Sequence, residues 1–112
     1  AQWPVVIVTN TGNKTGAIRK TPVMRVKVDD LYVAVASKGG APEHPQWYHN
    51  LKAQPDVTVR DLDVVTEMRA REVSDPAERE RLWAAAVEAY PPYAEYQEKT
   101  DRLIPVFALE RR

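Results

Sequence analysis

Residues 9–22 read TNTGNKTGAIRKTP, in which two glycines, four hydroxyl side chains and three cations stand between an apolar run and a proline. The run before it, Val5 to Val8, is β-branched and reads as a strand, so Gly12 and Gly16 are expected to supply the positive backbone dihedrals of a tight turn. Amides exposed in such a turn can form a nest for an anion. Lys14, Arg19 and Lys20 would then ring a concavity suited to phosphate or carboxylate, the arginine as a bidentate fork and the lysines as point charges. The same residues also make an ordinary hairpin tipped with solvated lysines, and the stretch alone leaves both readings open. A nucleotide-triphosphatase phosphate loop is excluded, because its terminal Gly-Lys-Ser/Thr is missing.

Outward from this turn, Ala17 to Val28 reads as a strand in its second half, with Met24, Val26 and Val28 on one face and Arg25 and Lys27 on the other. Asp29 and Asp30 turn the chain into Leu31 to Ala36, a near-continuous apolar run of the kind a buried strand shows. That pairing would carry Ser37 and Lys38 back towards the glycine turn, on adjacent strands. A short helix is expected around His44 to Leu51, with Pro45 at its start and Pro55 after its end. Asp56 to Arg60 and Val64 to Val73 read as strands, the second alternating Thr66, Met68 and Ala70 against Glu67, Arg69 and Arg71. Asp75-Pro76-Ala77-Glu78 predicts a helix start with a capping box. Leu82, Trp83, Ala86, Val87 and Tyr90 follow at helical spacing until Pro91 and Pro92 stop them. A short helix from about Tyr93 to Glu98 and a last strand over Ile104 to Leu109 complete the pattern. The class is mainly β with helices: one domain over residues 1–112, a small antiparallel barrel or half-open sheet of about six strands whose helices cap one opening.

The chain has 112 residues, enough for a single modest core. Its formal charge is zero, which argues against a general nucleic-acid coat, but residues 1–60 hold eight Lys/Arg against four Asp/Glu while residues 61–112 hold eight against twelve. The positive excess lies in the half that carries the glycine turn. Cysteine is absent, so no disulfide, thiolate metal site or thiol nucleophile is available, and a cytoplasmic setting fits. No apolar run reaches the roughly 20 residues that span a bilayer. The chain enters a strand within a few residues of its start, so an upstream segment is expected, and such a segment is where peripheral membrane contact would be made.

Ser37-Lys38-Gly39-Gly40 forms a second flexible turn whose amides, hydroxyl and ammonium could join the first turn around one anion. Tyr90, Tyr93 and Tyr96 recur every three residues across a proline break and read as a bent aromatic wall, either core or ligand-facing. His44 and His49 are five apart, which is not a facing helical spacing, and no metal site is read. No catalytic acid/base pair stands out.

The blocks TNTGNKTG, IRKTPVM, ASKGGAPEHPQWYHNL, PDVTV, YPPYAEYQ and TDRLIPVFALE, in this order from Val5 to Glu110, resemble the deazaflavin-dependent nitroreductase family. The resemblance implies a flavin-reductase-like split β-barrel that uses coenzyme F420. Carried over by that resemblance, the coenzyme positions are Asn13, Lys14 and Thr15; Arg19, Lys20, Thr21, Pro22, Val23 and Met24; Val35, Ala36, Ser37 and Lys38; Gln46, Trp47, Tyr48, His49 and Asn50; and Tyr93 near the ring. Asn13 stands where the family often has a basic residue, so one anion contact is expected to be weaker. Ser37, Tyr90, Tyr93 and Tyr96 fall where the family shapes its substrate pocket. The coenzyme's phosphodiester and glutamate tail accounts for a basic groove in a neutral protein, and hydride chemistry residing in the cofactor accounts for the missing catalytic constellation. The implied reaction is hydride transfer from the reduced coenzyme to a small electron-poor acceptor, a quinone, enone or nitroaromatic. Ser37 and Tyr93 would orient it, and a tyrosine or water would supply the proton. A coenzyme-sequestering module without turnover, and a barrel that uses flavin mononucleotide (FMN), are the alternatives. Split barrels commonly pair, so a homodimer is expected.

Overall fold

In the computed structural model, which describes residues 3–112, the glycine turn joins β1 (Val5–Thr11) to β2 (Ile18–Met24) as an antiparallel hairpin. Val6, Val8 and Asn10 are buried on one face, opposite Val23, Thr21 and Arg19. Only one of the turn's two glycines takes a positive φ: Gly16, at 75°. Gly12 is needed for space instead, since a Cβ there would lie 3.2 Å from Thr15 Oγ1 and 3.3 Å from the Ala17 carbonyl oxygen.

The strand expected to continue to Val28 breaks after Met24. A two-residue strand, β3 (Lys27–Val28), follows and belongs to the far side of the sheet. With β4 (Leu31–Val35), β5 (Asp56–Asp61), β6 (Val64–Glu72) and β7 (Val106–Arg111), the sheet has seven antiparallel strands in the order β2-β1-β5-β6-β7-β4-β3. Its two edge strands are consecutive in the chain, so the Arg25–Val26 link closes the sheet on itself. Arg25 N–H donates to the Pro4 carbonyl at 2.9 Å, and the Val26 carbonyl accepts from Val33 N–H at 2.8 Å. Asp61 reinforces the corner by accepting from Arg25 Nε at 2.9 Å and from the Tyr32 hydroxyl at 2.6 Å. Past the corner β2 and β4 are not hydrogen-bonded to one another, and the barrel is split along that seam.

Two cores follow from the alternation of side chains across this sheet. Inside, Val6, Val8, Ala34, Val59, Met68, Phe107 and Leu109 pack against Leu51, Trp47 and Tyr48 of α1 (Gln46–Ala53), which stoppers the barrel. Outside, Val33, Val35, Val106 and Ala108 pack against Leu82, Ala86 and Tyr93 of α2 (Pro76–Ala89) and α3 (Pro92–Glu98). Strands β4 and β7 are therefore buried on both faces, which is why they read as continuous apolar runs. One helix, not all three, caps the opening, and the other two cover the outer wall. At the start of α2 the Asp75 carboxylate accepts from Glu78 N–H at 2.9 Å. Glu78 does not return the bond, because its carboxylate takes a two-pronged fork from Arg71 at 2.9 Å on each oxygen, a stronger charge-assisted contact.

Candidate active site

Where the seam opens, Pro22, Val23 and Met24 of β2 face Val35 and Ser37 at the end of β4. Pro45 and Trp47 close one side, Tyr90, Tyr93 and Tyr96 the other, and the groove encloses about 250 Å³. Pockets for drug-sized ligands run to roughly 300–1,000 Å³, so this one has the size for flat rings and not for a long tail as well. The glycine turn and the Ser37 turn were expected on adjacent strands; they instead lie on β1–β2 and at the end of β4, which are not neighbours in the sheet, and the glycine turn is not part of the groove lining.

The three tyrosines form the bent wall that their spacing implies, with ring centroids 5.0 Å apart for Tyr90 and Tyr93 and 6.3 Å for Tyr93 and Tyr96, both edge-to-face. Their hydroxyls differ. Those of Tyr90 and Tyr96 bond one another at 3.2 Å. The Tyr93 hydroxyl has no partner among the described residues although the residue is only 5% exposed, and no buried side-chain polar atom there is left unsatisfied. Its oxygen must therefore emerge into the groove. Ser37, 8% exposed, is in the same position. Burial pushes the Tyr93 phenol well above the ordinary tyrosine range, with Tyr90 and Tyr96 adding to the effect, so it stays protonated as a hydrogen-bond donor.

The loop carrying Ser37 rests directly on the tyrosine helix. Gly40 holds φ at 83°, and a Cβ there would lie 2.8 Å from the Tyr96 carbonyl oxygen. Lys38, expected to face an anion, lines the groove and also holds Glu43 at 2.9 Å on the surface.

At the glycine turn the expected nest is half filled from within. The N–H groups of Gly12, Asn13, Gly16 and Ala17 donate to the Ala17 carbonyl, Asn50 Oδ1, the Gly12 carbonyl and Thr15 Oγ1. The amides of Lys14 and Thr15 remain at the tip, beside the Lys14 ammonium and the Arg19 guanidinium, neither of which meets a carboxylate among the described residues. Arg19 follows the face of Asn10 and Lys20 that of Thr9, so the two project from opposite faces of the edge strand and the three cations do not share one concavity.

Asn13, Gln46 and Asn50 bind one another more than they stand open. Gln46 Nε2 donates to Asn13 Oδ1 at 2.7 Å, and Asn50 Nδ2 to Asn10 Oδ1 at 2.9 Å. Asn10 and Asn50 are 1% and 2% exposed, a buried pair that clamps the turn to α1. Asn10 escapes the sequence reading, though its phase with Val6 and Val8 is the signal that it points inwards. Thr21 Oγ1 joins the cluster by accepting from Asn10 Nδ2 at 3.1 Å. Ala36 is buried and donates its N–H to the Pro105 carbonyl at 3.0 Å. Tyr48 packs on Phe107 and sends its hydroxyl to Glu72 at 3.3 Å, away from the groove, while His49 is exposed beside His44. Among the described residues no group of three or more histidines, cysteines or carboxylates is placed to hold a metal ion.

A small antiparallel sheet closed at one corner and split along one seam, with an aromatic groove in the seam, defines the class: a split β-barrel. The chain belongs to the F420H(2)-dependent quinone reductase family, whose model matches residues 1–111. An F420H(2)-dependent quinone reductase of Mycobacterium tuberculosis is 41% identical over 112 residues, covering 97% of this chain and 74% of that protein. Two solved structures are each 57% identical. One, an F420-H2 dependent reductase, has a TM-score of 0.89 over 96% of this chain and 94% of its own. The other, a domain-swapped dimer, has a TM-score of 0.90 over 96% of this chain and 80% of its own.

Proposed function

We propose that this protein reduces quinone-like, electron-poor acceptors with the reduced deazaflavin coenzyme F420, the coenzyme ring and the acceptor meeting in the split groove. The observation that carries the assignment of the groove is the pair of uncommitted hydroxyls, Ser37 and Tyr93, opening into a space sized for planar rings. When bound, the coenzyme supplies the hydride. Pro22, Val23 and Met24 offer the unpaired edge of β2 as a flat support, and Lys14 and Arg19 provide cations without carboxylate partners for an anionic tail running outside the groove. Tyr93, held protonated, donates a hydrogen bond to the acceptor oxygen where negative charge develops, and Ser37 fixes the acceptor from the adjoining turn. Orientation in a mostly apolar groove supplies the remaining rate enhancement. Enones and nitroaromatics present similar electron-poor oxygen-bearing groups and are further acceptors.

The domain-swapped dimer among the 57%-identical structures supports a homodimer here, and the exposed Val5 and Val65, both on the outer face of the sheet, offer it an apolar surface. No helix among the described residues is long and apolar enough to cross a membrane, and contact with quinone-bearing membranes is proposed to be peripheral. Titration of the purified protein with oxidised F420, read by coenzyme fluorescence in the presence and absence of excess FMN, tests the reading. Saturable binding that FMN does not displace is expected. A protein that purifies with FMN and leaves F420 fluorescence unchanged would overturn it.

A further inference from the structure

We infer that Arg102 is a positioning residue for this reaction: it fixes the loop that presents Ser37 against the helix that presents Tyr93. Arg102 lies in the TDRLIPVF block, distant in sequence from everything it holds. Its Nε donates to the Ala41 carbonyl at 2.9 Å, Nη1 to the Ala36 carbonyl at 3.2 Å and Nη2 to the Ser37 carbonyl at 2.7 Å, while Nη1 also meets His44 Nδ1 at 2.9 Å. All four contacts fall within residues 36–44, the loop that bears Ser37.

Two features set this arginine apart from the four that hold carboxylates. Arg25, Arg69, Arg71 and Arg112 each pair with a carboxylate, whereas Arg102 meets none among the described residues and is compensated by three carbonyl dipoles and an imidazole. A partly buried charge compensated in this way contributes little net stability, but its planar fork dictates where each carbonyl lies. Its own backbone is also tied to the tyrosine helix. Gln97 Nε2 donates to the Arg102 carbonyl at 2.8 Å, and Gln97 Oε1 accepts from Ile104 N–H at 3.0 Å. Gln97 lies on α3 with Tyr93 and Tyr96, so loop, guanidinium and helix form one hydrogen-bonded frame around the two hydroxyls. A lysine at 102 would supply one point charge where three carbonyls need a fork.

The kinetic part of this inference rests on the proposed reductase activity; the structural part does not. Arg102→Lys is therefore compared with wild type by amide hydrogen exchange at Gly40 and Ala41 without coenzyme, and by steady-state kinetics with reduced F420 and menadione. Faster exchange at the loop and a fall of about tenfold or more in kcat/KM are expected, the loss of one or two hydrogen bonds to a charged group. Asp75→Ala, which removes a helix cap away from the groove, should lower the melting temperature while leaving loop exchange and kcat/KM unchanged. Should Arg102→Lys fail to fold, Gln97→Met breaks the same frame from the helix side and should give the same signature. Unchanged loop exchange, or kcat/KM within about twofold of wild type, would overturn the inference. A wild type that oxidises no reduced coenzyme would overturn the reductase reading alone, and loop exchange would still decide the role of Arg102.

Discussion

Tyr93 has a hydroxyl that bonds nothing among the described residues, unlike Tyr90 and Tyr96, and for that reason the proposed function gives it to the acceptor. Tyr93→Phe should lower kcat by about 100- to 1,000-fold, the scale of one lost donor to developing charge, with the F420 dissociation constant unchanged; turnover equal to wild type on every acceptor would remove the residue from the chemistry. Because burial raises the Tyr93 pKa, the phenol is neutral at pH 7 and remains so as pH rises beyond the ordinary tyrosine value of about 10. The pH profile of kcat/KM should accordingly show no alkaline loss from this group below that point. Lys14→Ala and Arg19→Ala should each weaken coenzyme binding, more at low salt than at high, because exposed charges are screened within about 10 Å at 0.1 M ionic strength. Lys20→Ala, on the opposite face of β2, should have the smaller effect, as titration of the three variants at two salt concentrations would show. Much of this was legible in the sequence, where glycine, hydroxyl and cation cluster and tyrosines recur every three residues. What was not legible is which groups are already spent: the partners of Lys38, Gln46 and Asn50 lie on other segments, and only the fold reveals that Glu43, Asn13 and Asn10 occupy them.

Elements whose determinants are local were readable, and those decided by distant partners were not. Asp75 and Pro76 start α2 by bonds made within one turn, and Asp75→Ala should cost about 1 kcal/mol in denaturant unfolding. The corner at Arg25 and Val26 was invisible because residues 24–28 keep alternating through it; the break is made by Pro4 and Val33, which claim adjacent residues for opposite edges of the sheet. Likewise the apolar stripe of α2 shows that it packs on a sheet without saying which face. Between elements, the Ser37 turn packs directly on α3, an approach that Gly40 makes possible. Gly40→Ala would place a Cβ 2.8 Å from the Tyr96 carbonyl oxygen on a residue at φ 83°, and should destabilise the protein by about 1–3 kcal/mol. The same variant should lower kcat/KM, because the turn can relieve the clash only by moving Ser37 away from the tyrosine wall.

For the molecule as a whole, one closed corner and one open seam decide the shape. Asp61 latches the corner, and its carboxyl is held below the ordinary aspartate range first by the Tyr32 hydroxyl and then by Arg25. A folded-state pKa that is depressed contributes stability above the unfolded value of about 3.9, and that contribution disappears as pH falls through the folded value. Urea unfolding followed from pH 7 into acid should therefore show a loss of stability that is smaller in Asp61→Asn, which starts from a less stable barrel. The proposed function brings coenzyme ring and acceptor together in the open seam, so anaerobic mixing of the protein with reduced F420, followed by menadione, tests that claim most directly. Acceptor-dependent oxidation of the coenzyme that saturates in both components and is depressed in Tyr93→Phe is the expected result. Coenzyme that binds tightly but is not oxidised when menadione is added would contradict it and mark the barrel as a carrier.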